Sequence, residues 1–166
     1  MTNATRAADG AHTKNGLPAG YSSLTPHVVA SPAARAIEFY QKVFGARLVD
    51  ETRMGELVAH ATLELASGRF TVSDALPSYE LVAPTGGATS MSLGIYVPDV
   101  DATVERALAA GARLREPVST FVSGDRFGSI VDPFGVRWAV MTRVEDLSDE
   151  ESAERVRRWA AEQSAG

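Results

Sequence analysis

At 166 residues, 45% of them hydrophobic, the chain is long enough to bury one ordinary globular core. Its net charge of -5 argues against nucleic acid or an anionic membrane as the natural partner. The absence of cysteine excludes disulfides and thiolate chemistry and makes a reducing cytoplasm the expected compartment. No run of about 18 apolar residues is present to span a bilayer.

Residues 1–20 are small and polar, without the basic start and apolar stretch of a signal peptide. They read as a disordered tail, and His12 within it as incidental. Residues 22–30 form the first predicted strand. Ser31-Pro32 then predicts a helix start, with serine as the cap and proline at the first helical position. Ala36, Ile37, Tyr40 and Phe44 recur at helical spacing as its buried stripe, and Gly45 ends it as a left-handed cap would. Three strands are predicted next, over 47–54, 56–66 and 70–74, with Ser67-Gly68 as the turn between the last two.

A stretch rich in Pro, Gly and Thr, residues 77–89, reads as a linker. Beyond it Met91, Leu93, Ile95 and Val97 alternate with Ser92, Gly94 and Tyr96, the period-two pattern of a strand with one apolar face. Asp99 or Asp101 caps a second helix whose inner side is Val100, Val104, Ala107 and Leu108, and Gly111 stops it. Strands over 113–117, 129–131 and 136–141 follow, the last two joined by the turn Asp132-Pro133-Phe134-Gly135. Ser148-Asp149-Glu150-Glu151 is a capping box that opens a last helix with Ala153, Val156, Trp159 and Ala160 on its apolar side. That helix is expected to lie over the domain or over a second subunit.

The chain says nearly the same thing twice. Phe44-Gly45-Ala46-Arg47-Leu48 is echoed by Ala110-Gly111-Ala112-Arg113-Leu114, with Gly45 and Gly111 ending the two predicted helices. Two copies are too few for a solenoid. They predict an α+β fold of two tandem βαβββ modules, about 22–76 and 90–143, within a domain spanning 21–143. A helix and tail over 144–166 complete the expected organisation. The concave surface of such a sheet is where a small-molecule site is expected.

The second module carries Tyr96-Val97-Pro98-Asp99-Val100-Asp101-Ala102, Gly124-Asp125-Arg126-Phe127-Gly128 and Asp132-Pro133-Phe134-Gly135-Val136-Arg137-Trp138. The first adds Ile37-Glu38-Phe39-Tyr40 and Val58-Ala59-His60-Ala61. In this order on a duplicated module, the chain resembles the vicinal oxygen chelate superfamily: the glyoxalase, bleomycin-resistance and extradiol dioxygenase relatives. Within it the chain is most like the PhnB-like branch, over residues 22–144. The resemblance implies a cupped, mostly antiparallel half-barrel sheet, a homodimer and a small organic ligand. It does not by itself assign an activity.

Metal-dependent members of that superfamily hold a divalent cation with His and Glu side chains from strands of both modules. By the resemblance, the corresponding positions here fall on Thr25, Ser92, Ala139 and a residue on or beside Val72. None is a good ligand for a divalent cation, so no cofactor is expected. A displaced three-ligand set of His27, His60 and Glu64 is conceivable if the polar face His60, Thr62, Glu64 lines the cup. The alternative is that each histidine makes an ordinary hydrogen bond at the rim of the sheet.

The candidate ligand-binding residues are His27, His60, Thr62, Ser92, Tyr96, Phe121 and Arg126. His27 and His60 suit acid–base work near neutrality. Arg126, read as lying in a glycine-flanked loop, either binds a carboxylate or phosphate or braces that loop. Tyr96 either meets a ligand or fills the cup itself. Phe121 and Phe127 form an aromatic lip or a core or dimer contact, and Trp138 is expected in the core.

Two functions are expected to compete. One is a metal-independent binding protein that sequesters a drug or toxic metabolite, for which the acidic charge would steer cationic ligands. The other is a lyase, isomerase or dioxygenase that uses a displaced His/Glu metal site or His-based proton transfer.

Overall fold

The computed structural model describes residues 6–85 and 87–164. The chain divides into two compact units with the boundary between Ala83 and Pro84. Gly86, part of the predicted linker, lies outside the described residues.

In the first unit, where an unstructured tail was expected, β1 (Thr13–Lys14) and β2 (Leu17–Pro18) pair as a small antiparallel hairpin. The module proper consists of β3 (His27–Val29), α1 (Ala33–Phe44), β4 (Arg47–Met54), β5 (Leu57–Glu64) and β6 (Arg69–Ser73). Its open sheet has the order β3-β6-β5-β4, parallel between β3 and β6 and antiparallel elsewhere. The first strand is thus much shorter than the predicted 22–30.

Helix α1 lies on one face of this sheet because Ala33, Ala36, Ile37, Tyr40 and Val43 share one side of it and are all buried. Tyr40 meets Phe70 of β6 edge-on, ring centroids 5.6 Å apart. Phe39 is buried and Phe44 only half-buried, a shift of the predicted stripe around the helix. Gly45 closes α1 in the left-handed conformation, φ 68°, as its position predicts.

The start of α1 differs from expectation. Pro32 occupies the cap position and no side chain there bonds the helix. Instead the buried carboxylate of Asp74, at the end of β6, accepts from Ala33 N–H at 3.0 Å and from Val58 N–H at 2.9 Å. Ser31 turns away and accepts from Ala75 N–H. A proline at the cap offers no side-chain oxygen, so the orphan amide is met by a distant acid.

The second unit repeats the plan: β7 (Leu93–Tyr96), α2 (Val100–Ala109), β8 (Arg113–Thr120), β9 (Asp125–Val131) and β10 (Arg137–Arg143). Its order is β7-β10-β9-β8, again with only the first pair parallel. Asp99 is the cap of α2, accepting from Ala102 N–H at 3.0 Å, which leaves Asp101 for another partner. Thr103 takes a buried place on α2, whereas Leu108, expected on the inner side, is 38% exposed. Asp132 organises the predicted turn, accepting from Phe134 N–H and Val136 N–H and from the indole of buried Trp138.

The capping box forms as read: Glu151 accepts from Ser148 N–H at 2.9 Å and Ser148 Oγ accepts from Glu151 N–H at 3.2 Å. It opens α3 (Asp149–Ser164), none of whose residues is buried. Trp159 on α3 meets Phe121 edge-on, ring centroids 5.0 Å apart.

Candidate functional site

Strand pairing places a polar row on the face of the first sheet opposite α1. Thr71 on β6 stands beside Thr62 on β5 and His27 on β3. Since Phe70 and Val72 are buried on the α1 side, the alternation of β6 turns Thr71 and Ser73 to the opposite face. His27 is fixed from both ring nitrogens, Nδ1 at 2.7 Å from Thr71 Oγ1 and Nε2 at 3.1 Å from Ser73 Oγ.

The His60 ring lies nearly parallel to that of His27, centroids 6.5 Å apart and 15° between planes. Its Nδ1 is 3.7 Å from Asp50 Oδ1. Burial, and then the charge that His60 would carry, hold the His27 imidazole below its ordinary value of 6.5. Thr62 is 1% exposed, and its Oγ1 makes no hydrogen bond. A buried hydroxyl without a partner costs free energy.

The next row of the same face is ionic. Glu64 pairs in register with Arg47 of β4 on one side and Arg69 of β6 on the other. It accepts from Arg47 Nη2, from Arg69 Nη2 at 2.8 Å and from Arg69 Nε at 3.0 Å. The two guanidiniums, Arg47 first, hold its carboxyl below the usual range. Glu64 is therefore committed to arginine rather than turned toward His27 and His60. Among the described residues no group of three or more His, Cys, Asp or Glu side chains is placed to hold a metal ion.

The repeat also relates to one another the four positions that the resemblance assigns to metal ligands. Val28 pairs with Val72, and Ile95 with Val140, all four buried. This equates Thr25 with Ser92, His27 with Gly94 and Thr71 with Ala139. Val72 is excluded because it faces α1, so the position left open beside it is Thr71. Thr25 precedes β3 and donates to Ser22 O at 3.2 Å; Ser92 precedes β7 and is exposed. Thr25, Thr71, Ser92 and Ala139 supply neither imidazole nor carboxylate. These residues do not fit a divalent cation.

In the second unit Tyr96 lies opposite α2, 58% exposed, with its hydroxyl 3.4 Å from Asp125 Oδ1. Asp125 also pairs with Arg143 at 2.9 Å. Residues 125–128 are not a loop but the start of β9. Arg126 therefore shares the face of buried Ile130, toward α2, where its guanidinium forks onto Asp101 at 2.6 and 2.7 Å. Arg126 is thereby held by Asp101 of α2 rather than by its neighbour Asp125. Phe121 lies in the turn between β8 and β9 against Trp159. It lines a groove of about 460 Å³ with Thr120, Val122, Glu145, Arg155 and Arg158.

The structure thus brings His27, His60 and Thr62 together and adds Thr71, Ser73 and Asp50, which the sequence reading missed. The period-two alternation of β6 was the available signal. It sets Phe121 and Arg126 apart from Tyr96 on their own unit.

This architecture is a known one. A family model described as the Glyoxalase/Bleomycin resistance protein/Dioxygenase superfamily matches residues 25–140. The chain belongs to that superfamily. It is 35% identical over 137 residues to the uncharacterised protein Rv0887c of Mycobacterium tuberculosis, covering 78% of this chain and 79% of the relative. Its fold is similar to that of TioX from Micromonospora sp. ML1 (TM-score 0.59, 27% identity, 74% of this chain and 98% of the other). It is also similar in fold to the PhnB protein from Bacillus cereus, described as a putative 3-demethylubiquinone-9 3-methyltransferase (TM-score 0.57, 22% identity, 73% of this chain and 99% of the other). The superfamily assignment accounts for the duplicated βαβββ plan.

Proposed function

We propose that this superfamily member is a metal-independent binding protein for a small organic molecule, returned unchanged rather than transformed. The observation that carries this reading is the polar face around His27 and His60. Two exposed imidazoles stand nearly parallel there, with His27 already held at both nitrogens by Thr71 and Ser73. Such a surface offers hydrogen bonds to a ligand without offering a cation. Both ring nitrogens of His27 are already hydrogen-bonded to hydroxyls, which favours a fixed hydrogen-bonding surface over acid–base turnover. Ser92 and Tyr96 are candidate contacts on the second unit itself, and a homodimer in the cytoplasm is proposed. No helix among the described residues is long and apolar enough to cross a membrane.

The test combines metal analysis with a ligand screen. Purified protein incubated with Fe(II), Mn(II), Co(II), Ni(II) or Zn(II) is expected to retain no stoichiometric ion and to gain no thermal stability. About one ion per chain, lost in His60→Ala, would overturn the metal-free reading. A ligand found by screening should be recovered intact, and its consumption in wild type but not in His60→Ala would establish the enzyme instead.

A further inference from the structure

The two sheets carry the same arginine row with opposite electrostatics. In the first unit the row reads Arg47–Glu64–Arg69 across β4, β5 and β6. In the second, the same register reads Arg113–Val131–Arg137 across β8, β9 and β10. The acid that neutralises the first row is replaced by a valine.

No compensating pair of acids appears. Arg137 donates to Glu116 at 2.9 Å and to Ser129 Oγ at 3.2 Å. The side chains of Arg113 and Arg115 form no hydrogen bond or ion pair among the described residues. Arg115 joins the row because β8 is irregular between Leu114 and Glu116, where Arg115 has no partner in register. Arg113, Arg115, Val131 and Arg137 line one cavity of about 380 Å³, backed by Gly87, Ala88 and Thr89. No acid lines it. Three guanidiniums face one carboxylate at its edge, so the cavity is locally cationic on a protein of net charge -5.

We propose that this cavity is a binding site for a small organic dianion, a phosphomonoester or a dicarboxylate, held by Arg113 and Arg115 with Arg137 oriented by Glu116 and Ser129. Guanidiniums suit this task because their paired N–H groups match two oxygens of one anionic group. The volume falls in the range of small-molecule sites, about 300–1,000 Å³. The valine makes room and withholds the competing carboxylate that closes the corresponding row in the first unit. The site lies within the second unit and does not depend on the function proposed for the polar face of the first.

Isothermal titration of the full chain with phenyl phosphate, malonate and, as the neutral control, phenol tests this. Saturable binding of phenyl phosphate or malonate, but not phenol, is expected, weakening as salt is raised. The tighter of the two anions assigns the class. Arg113→Gln and Arg115→Gln, both at exposed positions, should each weaken it about tenfold. Val131→Glu should abolish it while keeping all three arginines, because it rebuilds the neutralised row. His60→Ala should leave it unchanged. Absence of saturable binding by either anion, or equal binding by Arg113→Gln, Arg115→Gln and wild type, would overturn the proposal.

Discussion

The two units share strand order, helix placement and arginine row, yet they satisfy the start of the helix and the centre of the row by different means. In the first unit both devices depend on distant residues: Asp74 reaches α1 from the end of β6, and Glu64 gathers arginines from two neighbouring strands. In the second, Asp99 caps α2 from the adjacent position, and the centre of the row is the apolar Val131. A duplicated backbone therefore constrains where a requirement arises, not which residue meets it. The copies diverge at these points, and the cationic cavity of the second follows from the valine at the centre of its row.

The largest effect expected from breaking the comparison is at the helix starts. Asp74→Ala strands two buried amide donors, those of Ala33 and Val58, and should cost about 3 kcal/mol in denaturant unfolding. Asp99→Ala, which removes a local cap in contact with water, should cost about 1 kcal/mol. Equal losses would mean that the distant carboxylate is no more than a cap.

The arginine rows give the next test. Glu64→Gln should lower the thermal midpoint at low salt, since Arg47 and Arg69 then face each other uncompensated. Added phosphate should restore more of that loss than chloride at equal ionic strength, because the first row would then resemble the second. A midpoint insensitive to the substitution would show that the row is passive.

The smallest effect concerns His27, whose counterpart in the second unit is Gly94. Its NMR titration midpoint should lie below 6.5, and His60→Ala should raise it partway by removing one of the two causes. A depressed folded-state value means that the unfolded chain binds more protons through the window below 6.5. The stability His27 contributes is thus complete above that pH and is lost as pH falls through the folded value. His27→Asn should flatten this part of the stability–pH curve. A midpoint at or above the ordinary value would remove the basis for placing His27 in a partly desolvated pair.

Much of the fold was legible because its signals are local. Gly45 and Gly111 end helices through backbone conformation, Asp132 folds the turn onto its own neighbours, and the capping box at Ser148 and Glu151 closes within one helical turn. The site was legible in part. His60 and Thr62 share a face by simple alternation, and the pairing of β5 with β6 and of β6 with β3 brings His27 to them. Arg126 was misplaced because its flanking glycines resemble those of a loop while the backbone continues as strand. Ser31 was misread as a cap because the acid that meets α1 lies 41 residues away from Ala33.

The sequence by itself determined the duplicated βαβββ plan, the helix stops and the turns, since periodicity, glycine and side-chain-to-backbone bonds act over a few residues. Only the tertiary structure decided which face each polar residue occupies, which acid meets which arginine and where a cavity is left. Register across strands sets those facts, and one irregularity such as that at Arg115 changes the neighbours of a side chain without leaving a mark in composition.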